Sequence, residues 1–170
     1  MLFRSSLPYS DFTRGAPDQA PLVAAHLRLG TTVCYEDAYG SSMLRVLPGA
    51  DALVNVTNDA WFGHSSARHQ HLQIARMRAL EEGRYLVRAA NDGISVVIGP
   101  HGEVIARAEE FKPVALVSSI VPHTGRTPYA HVGNWLVVSL AALALAYGLW
   151  VRNDRRLRRP KGRQRVEVLP

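Results

Sequence analysis

Short apolar runs rich in β-branched residues alternate along this chain with stretches of helical periodicity. Residues 27–34 and 52–57 predict two buried strands, because both runs are dense in Leu, Val and Thr. Between them, residues 37–47 predict a short amphipathic helix, and the Pro-Gly pair that follows is typical of a helix end. Residues 1–27, rich in Pro, Ser, Asp and Gly, predict a loop. Strands that alternate with helices favour a layered α/β domain.

A longer helix and a further set of strands are predicted beyond this point. Leu72, Ala75, Ala79 and Leu80 fall on one face of a helix over residues 65–82, and Gly83 is well placed to end it. Turns that contain glycine join the first three of the following strands as two hairpins. These four strands are predicted at residues 85–90, 94–98, 103–108 and 114–121.

An uncharged, apolar run lies near the C-terminus. Residues 135–151 as a helix extend about 26 Å, at the short end of the range that spans a bilayer. Trp135 and Trp150 mark its two ends, as interfacial aromatic residues do. A buried core helix is the alternative, but the basic cluster that follows at once favours a membrane helix. By the positive-inside rule, we expect the tail in the cytoplasm and the preceding domain outside the membrane.

The positive charge of the chain is confined to its tail. The formal net charge is +6, and eight basic against two acidic residues from Arg152 onward account for all of it. A nucleic-acid interface needs basic residues spread over a folded face, so we expect no nucleic-acid partner. An RNA-binding arm is the alternative for the tail. The pattern thus divides the chain into a domain, a linker, a transmembrane helix and a basic tail, at residues 1–122, 123–133, 134–151 and 152–170.

Cys34 is the only cysteine of the chain and follows the first predicted strand, so an internal disulfide is excluded. A thiol at a strand-to-helix turn, close to free backbone N–H groups, is well placed to act as a nucleophile. Tyr35 offers a backbone N–H to an oxyanion, and Glu36 lies on the same side of the strand by the two-residue period. A buried structural thiol is the alternative for Cys34, and an acid that starts the next helix is the alternative for Glu36.

The segment Asn-Asp-Ala-Trp-Phe-Gly follows the second predicted strand. Ligand sites in α/β proteins collect at strand ends, so its polar and aromatic members are candidate substrate-binding residues, and the aromatic pair suits an apolar chain. A well-packed turn with polar caps is the alternative. The candidates are Asn58, Asp59, Trp61 and Phe62.

Histidines and arginines cluster in and after the longer helix. His64, His69 and His71 have no acid or thiol at ligand spacing, so we predict no metal site and a solvated helix start. The arginines are predicted to be mostly solvated or paired with Glu81 and Glu82, with lipid phosphate as the alternative partner. These are Arg76, Arg78, Arg84 and Arg88.

Two features predict further polypeptide upstream, in the same reading frame or in a companion chain. A nucleophilic thiol needs a base and an oxyanion partner, yet neither Lys nor Glu precedes Cys34. A domain outside the membrane also needs an export element, and residues 1–10 contain no apolar run.

Several segments match one known family; they are residues 32–36, 58–63, 73–81, 91–103, 124–130 and 133–135. Together they resemble bacterial apolipoprotein N-acyltransferases, of the nitrilase or carbon–nitrogen hydrolase superfamily, over about residues 7–155. The cysteine segment and the asparagine–tryptophan segment make this resemblance specific.

The resemblance implies the second half of a nitrilase-like α-β-β-α sandwich followed by one C-terminal transmembrane helix. In the family, a Glu–Lys–Cys triad transfers a fatty acyl chain from phospholipid to the N-terminal diacylglyceryl-cysteine amine of a lipoprotein. Cys34 matches the nucleophile, and the Glu and Lys lie upstream of it. The resemblance implies a bacterial inner-membrane enzyme with a periplasmic domain and without a cofactor, whose partners are phospholipid and apolipoprotein.

The 170-residue chain alone is expected to be inactive, because the triad Glu and Lys are absent from it. It is also expected to fold poorly, because half a sandwich exposes sheet edges and an apolar face. A nitrilase-like amidase on a small substrate and an inactive membrane-anchored remnant of a truncated gene are the alternatives.

Overall fold

The structure, a computed structural model, describes residue 16 and residues 19–157. Most of the predicted loop over residues 1–27 and most of the basic tail lie outside the described residues. Within them, six strands form one mixed sheet in the order in which they follow along the chain. The second to fourth strands run parallel, and the outer pairs are antiparallel. The strands are β1 (Leu22–Ala24), β2 (Leu27–Val33), β3 (Ala52–Asn58), β4 (Leu86–Asn91), β5 (Val96–Ile98) and β6 (Val104–Arg107).

Helices form the crossover connections that parallel strands require. A 3-10 helix over Cys34–Ala38 and then α1 (Gly40–Val46) link β2 to β3. A second 3-10 helix, Ala60–Phe62, and α2 (Ala67–Glu82) link β3 to β4. The two α-helices bury their apolar sides against the sheet in one core, made of Met43, Leu53, Leu72, Ala75, Ala79, Leu86, Ile94, Val96 and Ile98.

Two glycines are required by this packing. A Cβ atom at Gly30 of β2 would lie 2.9 Å from Cγ1 of Val46, so the missing side chain lets α1 approach the sheet. Gly83 ends α2 as predicted, in the left-handed region at φ 61°, and its N–H donates to the carbonyls of Ala79 and Leu80.

The register of the parallel strands gives the two faces of the sheet opposite character. Thr32, Asn55 and Arg88 are paired across β2, β3 and β4, and all three are buried. The next row pairs Val33 with Val56, and these side chains are 59% and 47% exposed. Because successive residues of a strand point to opposite faces, one face is polar and buried there while the other is apolar and open.

The described residues 134–157 belong to a second compact unit. Its helix α4 runs from Trp135 to Leu157, after the short helix α3 (Pro128–Val132) of the first unit. Over Trp135–Asp154 the mean hydropathy is 1.7 and no part is buried, so among the described residues this helix alone is long and apolar enough to cross a membrane.

The structure corrects four sequence-based elements. The helix predicted over residues 37–47 begins earlier, as a 3-10 helix at Cys34, and is interrupted before Gly40. Residues 114–121 form no strand, although they are rich in Val. The loop predicted over residues 1–27 contains β1, and α3 was not predicted. β-Propensity alone does not form a strand, because the segment must also pair with a sheet edge, and residues 114–121 pair with none of the described strands.

Candidate active site

Cys34 lies at the point where β2 ends and the first 3-10 helix begins. Its φ is +52°, in the left-handed region that a non-glycine residue rarely adopts, and its thiol is free and exposed. A sharp, strained strand-to-helix turn is a geometry that presents a nucleophilic side chain. The exposure argues against the alternative of a buried structural thiol.

Neighbouring groups brace this turn. Oε2 of Glu36 accepts a hydrogen bond from the N–H of Val33 at 2.7 Å, and Nδ2 of Asn55 donates to the carbonyl of Cys34 at 3.0 Å. Glu36 therefore lies in the 3-10 helix and not on the strand as the two-residue period predicted. Tyr35 places its N–H in the first turn, where N–H groups have no acceptor within a helix.

A cavity of about 660 Å³ lies against the Cys34 turn. Among its described lining residues, Glu36 supplies the one carboxylate and Arg45 the one guanidinium, and no lysine contributes. Its other walls are mainly small, hydroxyl-bearing or apolar. The lining consists of Ala16, Gln19, Ala20, Pro21, Thr31, Thr32, Val33, Cys34, Tyr35, Glu36, Tyr39, Ser42, Arg45 and Val46.

The loop after β3 begins at the same edge of the sheet as the Cys34 turn, because both follow the C-terminal ends of parallel strands. Oδ1 of Asn58 accepts from the N–H of Ala60 at 3.2 Å and from Nδ2 of Asn91 at 3.3 Å, so this side chain caps the turn. Trp61 is 83% exposed, whereas Phe62 is half-buried with its ring edge-on to His71. Of the predicted substrate-binding residues here, Asn58 and Trp61 are exposed.

Asp59 is fully buried, unlike its neighbours in the loop. Its Oδ1 lies 3.0 Å from Nδ1 of His71, and its Oδ2 accepts from Nη2 of Arg88 at 2.8 Å. The hydroxyl of Thr57 also donates to Oδ1 at 3.0 Å. Both carboxylate oxygens are therefore engaged inside the protein.

His71 was predicted to lie at a solvated helix start, and Arg88 to be solvated or paired with Glu81 and Glu82. Both predictions are wrong, because the two residues are buried and their acidic partners are Asp37 and Asp59. His71 is 1% exposed and Arg88 2% exposed, beneath the Cys34 turn, where both contact Asp37 and Asp59. Burial lowers the pKa of His71, but the hydrogen bond to Asp37 and the charges of the two acids outweigh it, so the net pKa is raised. The spacing of apolar residues could have indicated this burial. His71 lies one helical turn before Ala75, and Arg88 lies two residues after Leu86, so each falls on the buried face of its element.

Two other arginines differ in outcome. Arg78 pairs with Glu81 at 3.0 Å, as predicted. Arg84 is buried instead, and it donates to the backbone carbonyls of Ala50 and Gly125 at 3.0 and 2.7 Å. No cluster of three metal-ligating side chains converges within residues 19–157.

A core of parallel strands flanked by helices, with an exposed cysteine at the C-terminal edge of the sheet, defines an α/β protein. Residues 4–127 match the family model for carbon-nitrogen hydrolase, and the chain belongs to this family. Solved structures agree on the fold. A carbon-nitrogen hydrolase from Helicobacter pylori G27 superposes with a TM-score of 0.51 at 21% identity, covering 57% of this chain and 41% of that one. The C. elegans NitFhit protein gives 0.51 at 26% identity, covering 64% and 28%.

Curated relatives confirm the resemblance to apolipoprotein N-acyltransferases. The protein of that name from Nitrosomonas europaea is 46% identical over 142 residues, which cover 84% of this chain and 29% of the relative. The one from Methylococcus capsulatus is 49% identical over 136 residues, covering 80% and 27%. The chain thus spans less than a third of the length of these relatives.

Proposed function

We propose that this chain is the C-terminal portion of an apolipoprotein N-acyltransferase and that it carries the nucleophile, Cys34. The observation that carries the proposal is the exposed thiol in a strained turn, at the wall of a cavity of about 660 Å³. The identity of 46% to a relative with that name supports the acyl-transfer chemistry.

The reaction proceeds in two steps through a thioester. A general base takes the proton of the Cys34 thiol, and the thiolate attacks the ester carbonyl of a phospholipid to form the C–S bond. The ester C–O bond breaks, and the base passes the proton to the leaving oxygen of the lysophospholipid. The amine of a diacylglyceryl-cysteine then attacks the thioester carbonyl. An amide bond forms, the C–S bond breaks, and the amine proton returns to the thiol. No cofactor takes part in either step.

Each candidate residue has a distinct role in this proposal. The N–H of Tyr35 donates to the oxyanion of each tetrahedral intermediate, and Glu36 holds the turn through the N–H of Val33. Trp61 and Phe62 contact the acyl chain. Asn58 and Asp59 hold the loop that presents these rings, which their internal hydrogen bonds support.

The base and the second oxyanion donor come from outside the described residues. In the proposal, a Glu and a Lys of upstream polypeptide, in the same or a companion chain, complete the site beside Cys34. The helix α4 crosses the bacterial inner membrane, with the sheet domain in the periplasm and the basic tail in the cytoplasm. The apolar character of α4 and the charge of the tail support this topology.

The test uses a chimera in which the N-terminal region of the Nitrosomonas europaea relative precedes this chain. Incubated with phospholipid that carries a labelled acyl chain, the chimera is expected to form a thioester at Cys34, identified by mass spectrometry and by its release with hydroxylamine. A diacylated lipopeptide should then accept the label. Cys34→Ser should abolish both signals, and a labelled lipopeptide made at an unchanged rate by this variant would contradict the proposal.

The carbon–nitrogen hydrolase family model favours one second candidate, an amidase that acts on a small substrate. Ammonia release from short amides by the chimera, without acyl transfer from phospholipid, would establish it. The absence of any adduct at Cys34 with either substrate would identify an inactive remnant.

A further inference from the structure

Four ionisable side chains lie buried beneath the Cys34 turn, and the proposed function gives a role to only one of them, Asp59. Each is at most 2% exposed. They come from four separate places in the chain: the first 3-10 helix, the loop after β3, helix α2 and strand β4. We call them the buried quartet: Asp37, Asp59, His71 and Arg88.

The quartet forms a closed ring of ion pairs. His71 lies between the two acids, with Nδ1 3.0 Å from Asp59 and Nε2 3.2 Å from Asp37. A carboxylate only accepts hydrogen bonds, so each ring nitrogen donates to one acid when the imidazole is protonated, the form that the raised pKa of His71 favours. Arg88 bridges the other oxygen of each acid, at 2.8 Å from Asp59 and 3.3 Å from Asp37. Two positive charges therefore neutralise two negative ones.

This ring connects the nucleophile turn to the aromatic loop. Asp37 lies three residues after Cys34 in the same 3-10 helix, and Asp59 immediately precedes the 3-10 turn that carries Trp61. A second connection runs through Asn55, which accepts from Arg88 at 2.8 Å and donates to the carbonyl of Cys34 at 3.0 Å.

Stability alone is a poor explanation for such a cluster. Buried ion pairs are expensive to desolvate, and apolar side chains of similar volume often serve equally well. Apolar contacts have no preferred geometry. Hydrogen bonds do, so each hydrogen bond of the ring fixes the position of the backbone segment that carries its side chain. The positive φ of Cys34 is a strained conformation that persists only where its surroundings hold it.

We propose that His71 and Arg88 are positioning residues, which lock the Cys34 turn and the Trp61 loop into one unit through Asp37 and Asp59. The ring sets the distance between the Cys34 thiol and the aromatic side chains. Disrupting its contacts at the Cys34 turn therefore also increases the motion of the Trp61 loop. The proposal rests on the proposed function only in taking Cys34 as the reactive thiol.

Hydrogen exchange of the full chain in detergent micelles tests this coupling without acyl transfer. His71→Gln is expected to raise amide exchange at least tenfold in both residues 33–39 and residues 58–64. Leu72→Ala is the matched control, since it loosens the same helix within the apolar core and should not select these two segments. Alkylation of Cys34 by iodoacetamide should change at least threefold in His71→Gln and less in the control.

The pH dependence adds a readout that packing does not supply. The charged groups facing His71 are Asp37, Asp59 and Arg88, and the ring of Tyr35 packs beside it. We compare amide protection in residues 33–39 and 58–64 between the unaltered chain and His71→Gln. The difference should be largest below about pH 6.5, and it should shrink as the pH rises and the imidazolium loses its proton. A difference that grows with pH would overturn the proposal.

Asp37→Asn provides a second variant, because it alters only the Cys34 end of the ring. Faster exchange in residues 58–64 as well as 33–39 supports the coupling, and faster exchange in residues 33–39 alone overturns it. Equal effects in both segments from Leu72→Ala would also overturn it. If the isolated chain exchanges too fast to measure, the same comparison in the chimera decides. A failure to form a thioester would refute the proposed function and leave this test unaffected.

Discussion

Glu82, the last residue of α2, is fully buried, and within the described residues neither of its carboxylate oxygens has a hydrogen-bond partner. Burial raises its pKa to about 7, and the negative charge of Glu81 adds to this, while Arg78 and Arg84 oppose it. A buried carboxyl with so little compensation is protonated in the folded state over a pH range in which the unfolded chain has already ionised.

Replacing Glu82 with Gln should stabilise the protein at high pH. The unfolded chain loses this proton near pH 4.5 and the folded protein only near pH 7, so stability falls as the pH rises between these values. Glu82→Gln removes that loss, and we expect a gain of about 1–3 kcal/mol at pH 8 and little change at pH 4. Urea denaturation of the chimera at the two pH values measures it. The exposed Glu109→Gln is the control, and an equal gain at both pH values for Glu82→Gln would contradict this account.

At the scale of elements, the end of α2 at Gly83 lies against the segment that carries α3. Its left-handed conformation disfavours any side chain, and a Cβ atom there would lie 3.0 Å from Cγ2 of Thr127. The hydroxyl of Thr127 donates to the carbonyl of Glu81 and accepts from the N–H of Ala130, so it joins the end of one helix to the start of the next.

Gly83→Ala should therefore cost more than backbone strain alone. Gly49→Ala is the matched control, because Gly49 has φ +79° and its nearest neighbour would be 3.8 Å from the new atom. We expect about 1 kcal/mol of destabilisation from strain in each variant, and a larger loss in Gly83→Ala from displacement of Thr127. Thermal unfolding measures the difference, and hydrogen exchange should locate it at α3. Equal losses in the two variants would show that Thr127 moves freely.

Elements that depend on local pattern were predicted well. The bounds of β2 and β3 and the end of α2 at Gly83 follow from apolar runs and from a glycine that can adopt positive φ. Residues 114–121 failed because a strand also needs a partner, which no local pattern specifies. Asp59 and His71 show the same limit within the site. The two residues are twelve positions apart in the sequence, so no local pattern reports their pairing. Charged side chains are also usually exposed, so sequence rules place both at the surface.

At the scale of the whole molecule, the sheet has helices on one face and an open apolar row on the other. Val33 and Val56 remain largely exposed there, and Val33 also lines the cavity at Cys34. A soluble domain rarely leaves the centre of a sheet uncovered, so this face is consistent with the proposal that further polypeptide completes the sandwich. The same polypeptide would bring the base and the oxyanion donor to the edge of the sheet at which the thiol lies.

The proposed topology predicts opposite behaviour for two reporters fused to the C-terminus. If α4 crosses the membrane with the basic tail inside, green fluorescent protein placed after Pro170 should fluoresce, and alkaline phosphatase at the same position should be inactive. Fusions to the chimera truncated after residue 133, before α4, should give the reverse result. Replacing the basic residues of the tail from Arg152 to Arg165 with Gln should weaken the orientation, because the positive charge next to the helix is what retains the tail. Active phosphatase after Pro170 in the unaltered protein would exclude this topology and, with it, a periplasmic Cys34.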